Sequence, residues 1–210
     1  MADAAVEVLT IGHSTLPYER FLALLRQASV TAVADVRTAP YSRHFPHFNR
    51  DALRDELRHD QIAYVFLGEE LGGRPKDRRL FGDGVADYEK MAQTEQFAKG
   101  LDRVVEGAKK YRLAVMCSEH DPLDCHRCLL VGRALKQRGV TVRHILGSGE
   151  IIGQEAIETR LMALSNKADD DFFEPIGKRL AIAYRDRSSK VAFAERTADP
   201  TCPPQAMSLS

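Results

Sequence analysis

The chain has 210 residues, 44% hydrophobic and 29% charged, the composition of a globular domain large enough to bury its own core. Thirty Lys plus Arg offset thirty Asp plus Glu, so no global field attracts a polyanion, and any nucleic-acid contact must come from a local patch. The N-terminus lacks export-signal regions, no apolar run reaches membrane length, and three clustered cysteines plus one near the end are no secreted disulfide framework, so a cytoplasmic protein without a membrane partner is expected.

Along the chain, short β-branched runs alternate with helical patterns. VEVLTI (6–11) reads as the first strand, and residues 18–28 place Phe21, Leu22, Leu24 and Leu25 on one helical face. TAVADV (31–36) is the second strand, 50–59 a charged amphipathic helix, and IAYVF (62–66) the third strand. A Gly-rich loop, LGEELGGRPKDRRLFGDG, leads to helices between 87 and 110. LAVM (113–116) is the fourth strand, 125–138 a helix, and TVRHI (141–145) the fifth strand. Strand–helix alternation implies an α/β fold, a single three-layer domain over 1–150 with a mostly parallel sheet and right-handed crossovers. After Gly147 the pattern turns helical, near 154–166 and 176–187. Residues 151–198 therefore read as a helical C-terminal extension that covers a sheet edge or supports a homodimer. The Pro- and Ser-rich residues 199–210 read as a disordered tail.

In open parallel sheets, ligands bind beyond the carboxyl ends of the strands. Those ends carry Gly12-His13-Ser14, then Asp35-Val36-Arg37, then Gly68-Glu69-Glu70, then Cys117-Ser118-Glu119, and finally Gly147-Ser148. Polar and ionisable residues thus gather on one edge. Four of these stretches, TIGHST, VADVRTAPYSRHFPHFN, LGEELGGRP and CSEHDPLDCHR, in that order and spacing, resemble the bacterial and archaeal family catalogued as domain of unknown function 488. The resemblance runs from about Leu9 to Leu146. It implies a compact α/β domain with a site built from these motifs, and it supplies no reaction.

MCSEHDPLDCHRC (116–128) supports several chemistries. Cys125-His126-Arg127-Cys128 is a C-x-x-C at a helix start, where the dipole and neighbouring cations lower a thiol pKa. It follows the fourth strand rather than an early one, and the resemblance implies a non-cysteine residue at the place of Cys128, which weakens a dithiol mechanism. A zinc site would use Cys117, Cys125, Cys128 and either His126 or Glu119. No second C-x-x-C knuckle completes it, and the adjacency of Cys125 and His126 makes joint ligation awkward. Cys117 and Cys128 read as packing residues, His120 as a solvated loop residue and His144 as a strand residue.

RTAPYSRHFPHFNR (37–50) interleaves arginines and histidines with Tyr41, Phe45 and Phe48, as a nucleotide or single-stranded nucleic-acid site requires. Gly72-Gly73-Arg74 with Lys76, Arg78 and Arg79 adds positive charge on a segment able to close as a lid; neither a P-loop nor GxGxxG is present. The leading expectation is an enzyme of hydrolysis or group transfer on a phosphate-bearing substrate, a nucleotide or nucleic acid. Glu119 and Asp35 are its acid/base candidates, Cys125 its nucleophile if the mechanism is covalent, and His13 the group that polarises the reacting atom. Ser14, Arg37, Ser42, Arg43, Asn49, His126 and Arg127 are assigned to the substrate, with Arg37, Arg43 and Arg127 as an anion clamp. No cofactor is assigned, zinc being the alternative. A non-catalytic binding or sensor module and a thiol-redox or zinc protein are the competing readings.

Overall fold

The computed structural model describes residues 5–165 and 175–195. Six strands form one sheet in the order β3-β2-β6-β1-β7-β8: β1 (Glu7–Gly12), β2 (Ala32–Asp35), β3 (Ala63–Phe66), β6 (Leu113–Cys117), β7 (Thr141–Ile145) and β8 (Ile151–Gly153). All neighbours are parallel except β8, which runs antiparallel to β7. The central strands are buried on both faces, which explains their nearly unbroken apolar runs.

Alternation along those strands divides the core into two layers. Leu9, Ile11, Val33, Ala114 and Met116 face one side, where α1 (Tyr18–Gln27) delivers Phe21, Leu24 and Leu25 and α2 (Arg50–His59) delivers Leu53 and Leu57. Val8, Ala32, Ala34, Val115 and Cys117 face the other side. There they meet α5 (Glu95–Ala108), a π-helical stretch Arg127–Gly132 that runs into α6 (Arg133–Gln137), α7 (Gln154–Leu164) and α8 (Ile176–Val191). The result is the expected three-layer α/β domain.

The order of the strands positions the site. β6 lies between β2 and β1. The chain leaves β1 and β2 toward α1 and α2 on one face, and leaves β6 toward the π-helical stretch on the other. Loops that part to opposite faces open a crevice at the carboxyl ends of these three strands.

Several elements differ from the sequence reading. β8 was read as part of a helical extension; at three residues it is too short to show a period. The Gly-rich loop contains a short helix, α3 (Gly68–Leu71), and the strand β4 (Phe81–Gly82), which forms a two-stranded ribbon with β5 (Val85–Ala86) just after it. It is pinned rather than loose: Arg74 N donates to Thr38 Oγ1 at 3.1 Å and Gln96 Nε2 to the Glu69 carbonyl at 2.7 Å. The helical stretch 87–110 divides into α4 (Tyr88–Ala92), capped by Asp87, and α5, capped by Thr94.

After α8 the chain returns across the ribbon, with Ala86 N on the Phe193 carbonyl at 2.9 Å and Glu195 N on the Gly84 carbonyl at 2.8 Å. α7 and α8 pack on the body through Ile157, Leu161, Ala183 and Tyr184, and expose Leu164 and Ile176. The expected tail, 199–210, lies outside the described residues. Among those described, no helix is long and apolar enough to cross a membrane.

Candidate functional site

At the ends of β1 and β2 a buried ion pair fixes two loops. Arg37 donates Nε to Asp35 Oδ1 at 2.9 Å and Nη2 to Asp35 Oδ2 at 2.7 Å, with the side chains 5% and 0% exposed. Its Nη2 also donates to the Phe48 carbonyl at 2.8 Å, its Nη1 lies 3.2 Å from His13 Nε2, and Tyr64 donates its hydroxyl to Asp35 at 2.8 Å. His13 stacks on Phe48 with centroids 4.1 Å apart, and its Nδ1 is 2.9 Å from the Ser14 carbonyl. With Nδ1–H donating, Nε2 accepts from Arg37. Burial, then the Arg37 charge, holds the His13 pKa at about 4, so the ring is neutral.

At the end of β6 a second group assembles. Glu119 Oε2 lies 2.9 Å from Cys117 Sγ and 2.8 Å from Cys125 Sγ, and His126 Nδ1 lies 3.6 Å and 4.0 Å from the same sulfurs. All four donor atoms fall within 4.8 Å of one another. Asp121 caps the turn Pro122–Asp124 by accepting from Leu123 N at 2.9 Å. Cys125 is then extended (φ −137, ψ 137) and His126 helical (φ −60, ψ −24). That change of conformation turns two consecutive side chains to one side, which removes the awkwardness expected of their adjacency. Two glycines make room. A Cβ on Gly12 would stand 1.8 Å from the Glu119 carbonyl oxygen, and one on Gly73 would stand 2.8 Å from the His126 ring.

Arg127 is 1% exposed and serves the protein itself. Its Nη1 donates to the Glu119 carbonyl at 2.6 Å, its Nη2 to the His120 carbonyl at 3.0 Å, and its backbone N–H points at Cys125 Sγ at 3.4 Å. Burial opposes charge on Cys125, but the hydrogen bond from Cys117, the Arg127 cation and His126 together hold its pKa well below the usual thiol value. Burial and then Cys125 push Cys117 well up, and the same two causes raise Glu119. His126 is raised in spite of burial, chiefly by Cys125.

Glu119 and His126 line a small cavity of about 130 Å³, together with Arg37, Gly73, Arg74, Tyr88 and Phe193. Beside it lies a cleft of about 480 Å³ lined by Tyr41, Arg50, Phe66, Lys76 and Phe97, which shares Thr38 and Arg74 with the cavity. The Arg50 guanidinium sits 4.3 Å over the Phe66 ring and that of Arg74 5.1 Å over Phe193.

Residues 17–134 match the family model described as "Domain of unknown function DUF488", more than half of the chain. The chain belongs to the DUF488 family. No curated protein and no solved structure matches it. The TIGHST motif lies just ahead of the DUF488 match, while the cluster Cys117–His126 lies inside it.

Within this DUF488 chain the sequence-derived residues divide into two sets. Glu119, Cys125 and His126 come together, joined by Cys117, which the sequence reading left to packing; its C-x-E spacing at a strand end was the available signal. Asp35, His13, Arg37 and Arg127 are held against one another or against backbone carbonyls, with Arg37 at the cavity wall. Ser14 donates its N–H to the Ser118 carbonyl at 2.7 Å and so ties the β1 and β6 loops. Asn49 Oδ1 accepts from Ser42 N at 2.6 Å, and Ser42 Oγ accepts from the His44 and Phe45 amides, so this pair shapes its own loop.

The three-arginine clamp does not assemble: Arg37 and Arg127 are engaged by protein acceptors, and Arg43 is exposed and lines neither the cavity nor the cleft. The Cys125–Cys128 pair does not form either. Cys128 Sγ turns under α7 to Gln154 Nε2 at 3.7 Å, where burial pushes its pKa to about 12. Tyr88 and Phe193 went unread because they are distant in sequence from every motif that flagged the edge, whereas Arg50 and Arg74 lie in the basic stretches the sequence singled out without being assigned to the substrate.

Proposed function

We propose that this DUF488 protein is a hydrolase of phosphate esters, acting on a nucleotide or the end of a single-stranded nucleic acid. One observation carries the reading: a cleft lined by cations and aromatic faces opens beside the cavity lined by Glu119 and His126. Arg50, Arg74 and Lys76 form no salt bridge among the described residues. Of the acids in the cleft, Glu70 pairs with Arg103 and Asp77 with Arg79, which leaves Glu69 against three cations. Such a surface attracts phosphate, and the exposed Tyr41 offers a face on which a base stacks. Its volume lies in the range of small-ligand sites.

In the reaction, a water oxygen adds to phosphorus, the ester P–O bond breaks, and the leaving oxygen takes up the proton that the water loses. Glu119, a carboxylate at the cavity, relays that proton, and Arg74, shared by cleft and cavity, holds the phosphoryl oxygens. Arg37 and Arg127 position the loops.

The test is a panel of mononucleotides and short single strands, measured for binding and turnover at two salt concentrations. Arg74→Ala is expected to weaken affinity about tenfold to a hundredfold and to lower the salt slope by about one. Glu119→Gln is expected to keep binding and abolish turnover. Binding without turnover in the wild type would make the protein a sensor module, and affinity indifferent to salt and to Arg74 would refute the phosphate reading.

A further inference from the structure

Phosphate recognition does not account for two thiols, a carboxylate and an imidazole meeting behind the cavity. We infer that Cys117, Glu119, Cys125 and His126 bind one divalent metal ion of the zinc class, with His126 coordinating through Nδ1. The binding site stands on its own donor atoms; only its use in turnover rests on the phosphate-ester reading.

The first argument is spacing. A tetrahedral ion with metal–sulfur bonds of about 2.3 Å and metal–nitrogen or –oxygen bonds of about 2.0–2.2 Å sets its donors roughly 3.3–3.8 Å apart. The donors here, on a strand end, the loop after it and a helix start, stand 2.8–4.0 Å apart in the four contacts given above. Binding an ion requires the two carboxylate contacts to open by roughly 0.6–0.7 Å and the wider pairs, which reach up to 4.8 Å, to close by up to about 1 Å.

The second is the outer shell. His126 Nε2 lies 3.0 Å from the Val36 carbonyl, so Nε2–H donates and Nδ1 offers its lone pair to the cluster. A backbone carbonyl on the far nitrogen is the usual support of a metal-bound imidazole. The backbone N–H of Arg127 points at Cys125 Sγ, and the Gly73 backbone packs against the ring from the cavity side.

The third is charge. Two thiolates and a carboxylate against a dication leave one negative charge in a buried site, and the Arg127 guanidinium, buried beside them, cancels it. Sulfur and imidazole donors select zinc over magnesium or calcium, which take oxygen. Cys128 is outside the set. Glu119 and His126 face the cavity with the sulfurs behind, so the carboxylate is the ligand that an incoming oxygen displaces.

The experiment uses the full chain without a histidine tag, stripped with a chelator and titrated with Co²⁺. Saturation at one equivalent is expected, with near-ultraviolet sulfur-to-cobalt charge transfer and the intense visible bands of a tetrahedral ion, all bleached by Zn²⁺. Cys128→Ala should bind as the wild type does, whereas Cys117→Ser and Cys125→Ser should lose about a hundredfold or more in affinity, beyond what outer-shell changes cost. Should either variant fail to fold, alkylation of the wild type decides: Zn²⁺ should protect Cys117 and Cys125 and leave Cys128 unaffected. Cobalt binding without a charge-transfer band, or no zinc protection of the two thiols, overturns the inference. Zinc bound by a protein that turns over no phosphate compound refutes the substrate reading and leaves this one standing; turnover without zinc binding does the reverse.

Discussion

Asp35 is expected to be worth more to the fold than any exposed acid in the chain. It accepts the Arg37 N–H at 3.0 Å, Arg37 Nε at 2.9 Å, Arg37 Nη2 at 2.7 Å and the Tyr64 hydroxyl at 2.8 Å, at full burial. Asp35→Asn keeps the shape and removes the charge, which leaves the Arg37 guanidinium buried with only the Phe48 carbonyl and the neutral His13 ring as other partners. Breaking a buried pair from one side costs about 3–5 kcal/mol, against a whole-domain stability of roughly 5–15 kcal/mol. At a urea slope of about 2 kcal/mol/M, the unfolding midpoint should fall by about 1.5 M or more. The double variant Asp35→Leu/Arg37→Met removes both charges and should recover at least half of that loss. Equilibrium urea unfolding followed by circular dichroism measures all of these. A shift under about 0.5 M for Asp35→Asn, or a double variant no better than the single, would refute the reading of an over-determined buried pair.

His144 is fully buried between Thr10 Oγ1 at 2.8 Å and Gln154 Oε1 at 2.7 Å, and burial holds its pKa at about 4. Unfolding restores a value near 6.5, so the unfolded chain binds the extra proton and stability is full above pH ~6.5 and falls toward pH ~4, by about 3 kcal/mol for this residue. Urea midpoints for wild type and His144→Gln at the two ends of that window should converge at the acidic end, His13 adding the same sign to both proteins; parallel curves would exclude a neutral His144. Gly73→Ala drives a methyl group to 2.8 Å from the His126 ring, so metal affinity by cobalt titration should fall about tenfold or more while the fold persists; unchanged affinity would free His126 from the ligand set. Arg127→Lys keeps the charge but cannot hold both the Glu119 and His120 carbonyls, and should cost about 2–3 kcal/mol in thermal or urea unfolding. A loss under ~0.5 kcal/mol would show that the fork is not needed.

The strands of the central sheet were legible because β1, β2 and β6 are buried on both faces and so run nearly unbroken apolar, while β7 shows a β-branched run, and the carboxyl edge followed from their order. β8 was not, because three residues carry no period. Nor was the π-helical turn 127–132, whose apolar residues read equally as an α-helix. The arginines were misread for a different reason. A sequence displays charge but not acceptors: Arg37 is matched by a strand residue two positions away, and Arg127 by carbonyls, which leave no mark in the letters. Cys117 looked like a core residue because it is one; the letters grouped it with Cys125 and Glu119 in a candidate zinc site, and the fold brings their side chains into contact.

The return of the chain after α8 closes the cavity with a segment that the family match does not cover. The chemical groups Cys117, Glu119, Cys125 and His126 lie inside the matched stretch 17–134, yet Val191 and Phe193 in the wall of the same cavity come from far beyond it. Phe193 is hydrogen-bonded through its carbonyl to the ribbon and is covered by the Arg74 guanidinium, so the outer arm touches the inner motif LGEELGGRP there. One wall of the cavity is therefore supplied from outside the matched stretch, while the lining of the neighbouring cleft, from Thr38 to Phe97, lies wholly inside it. Removing the chain after α8 is then expected to widen the cavity on its Val191 and Phe193 side and to leave the lining of the cleft in place.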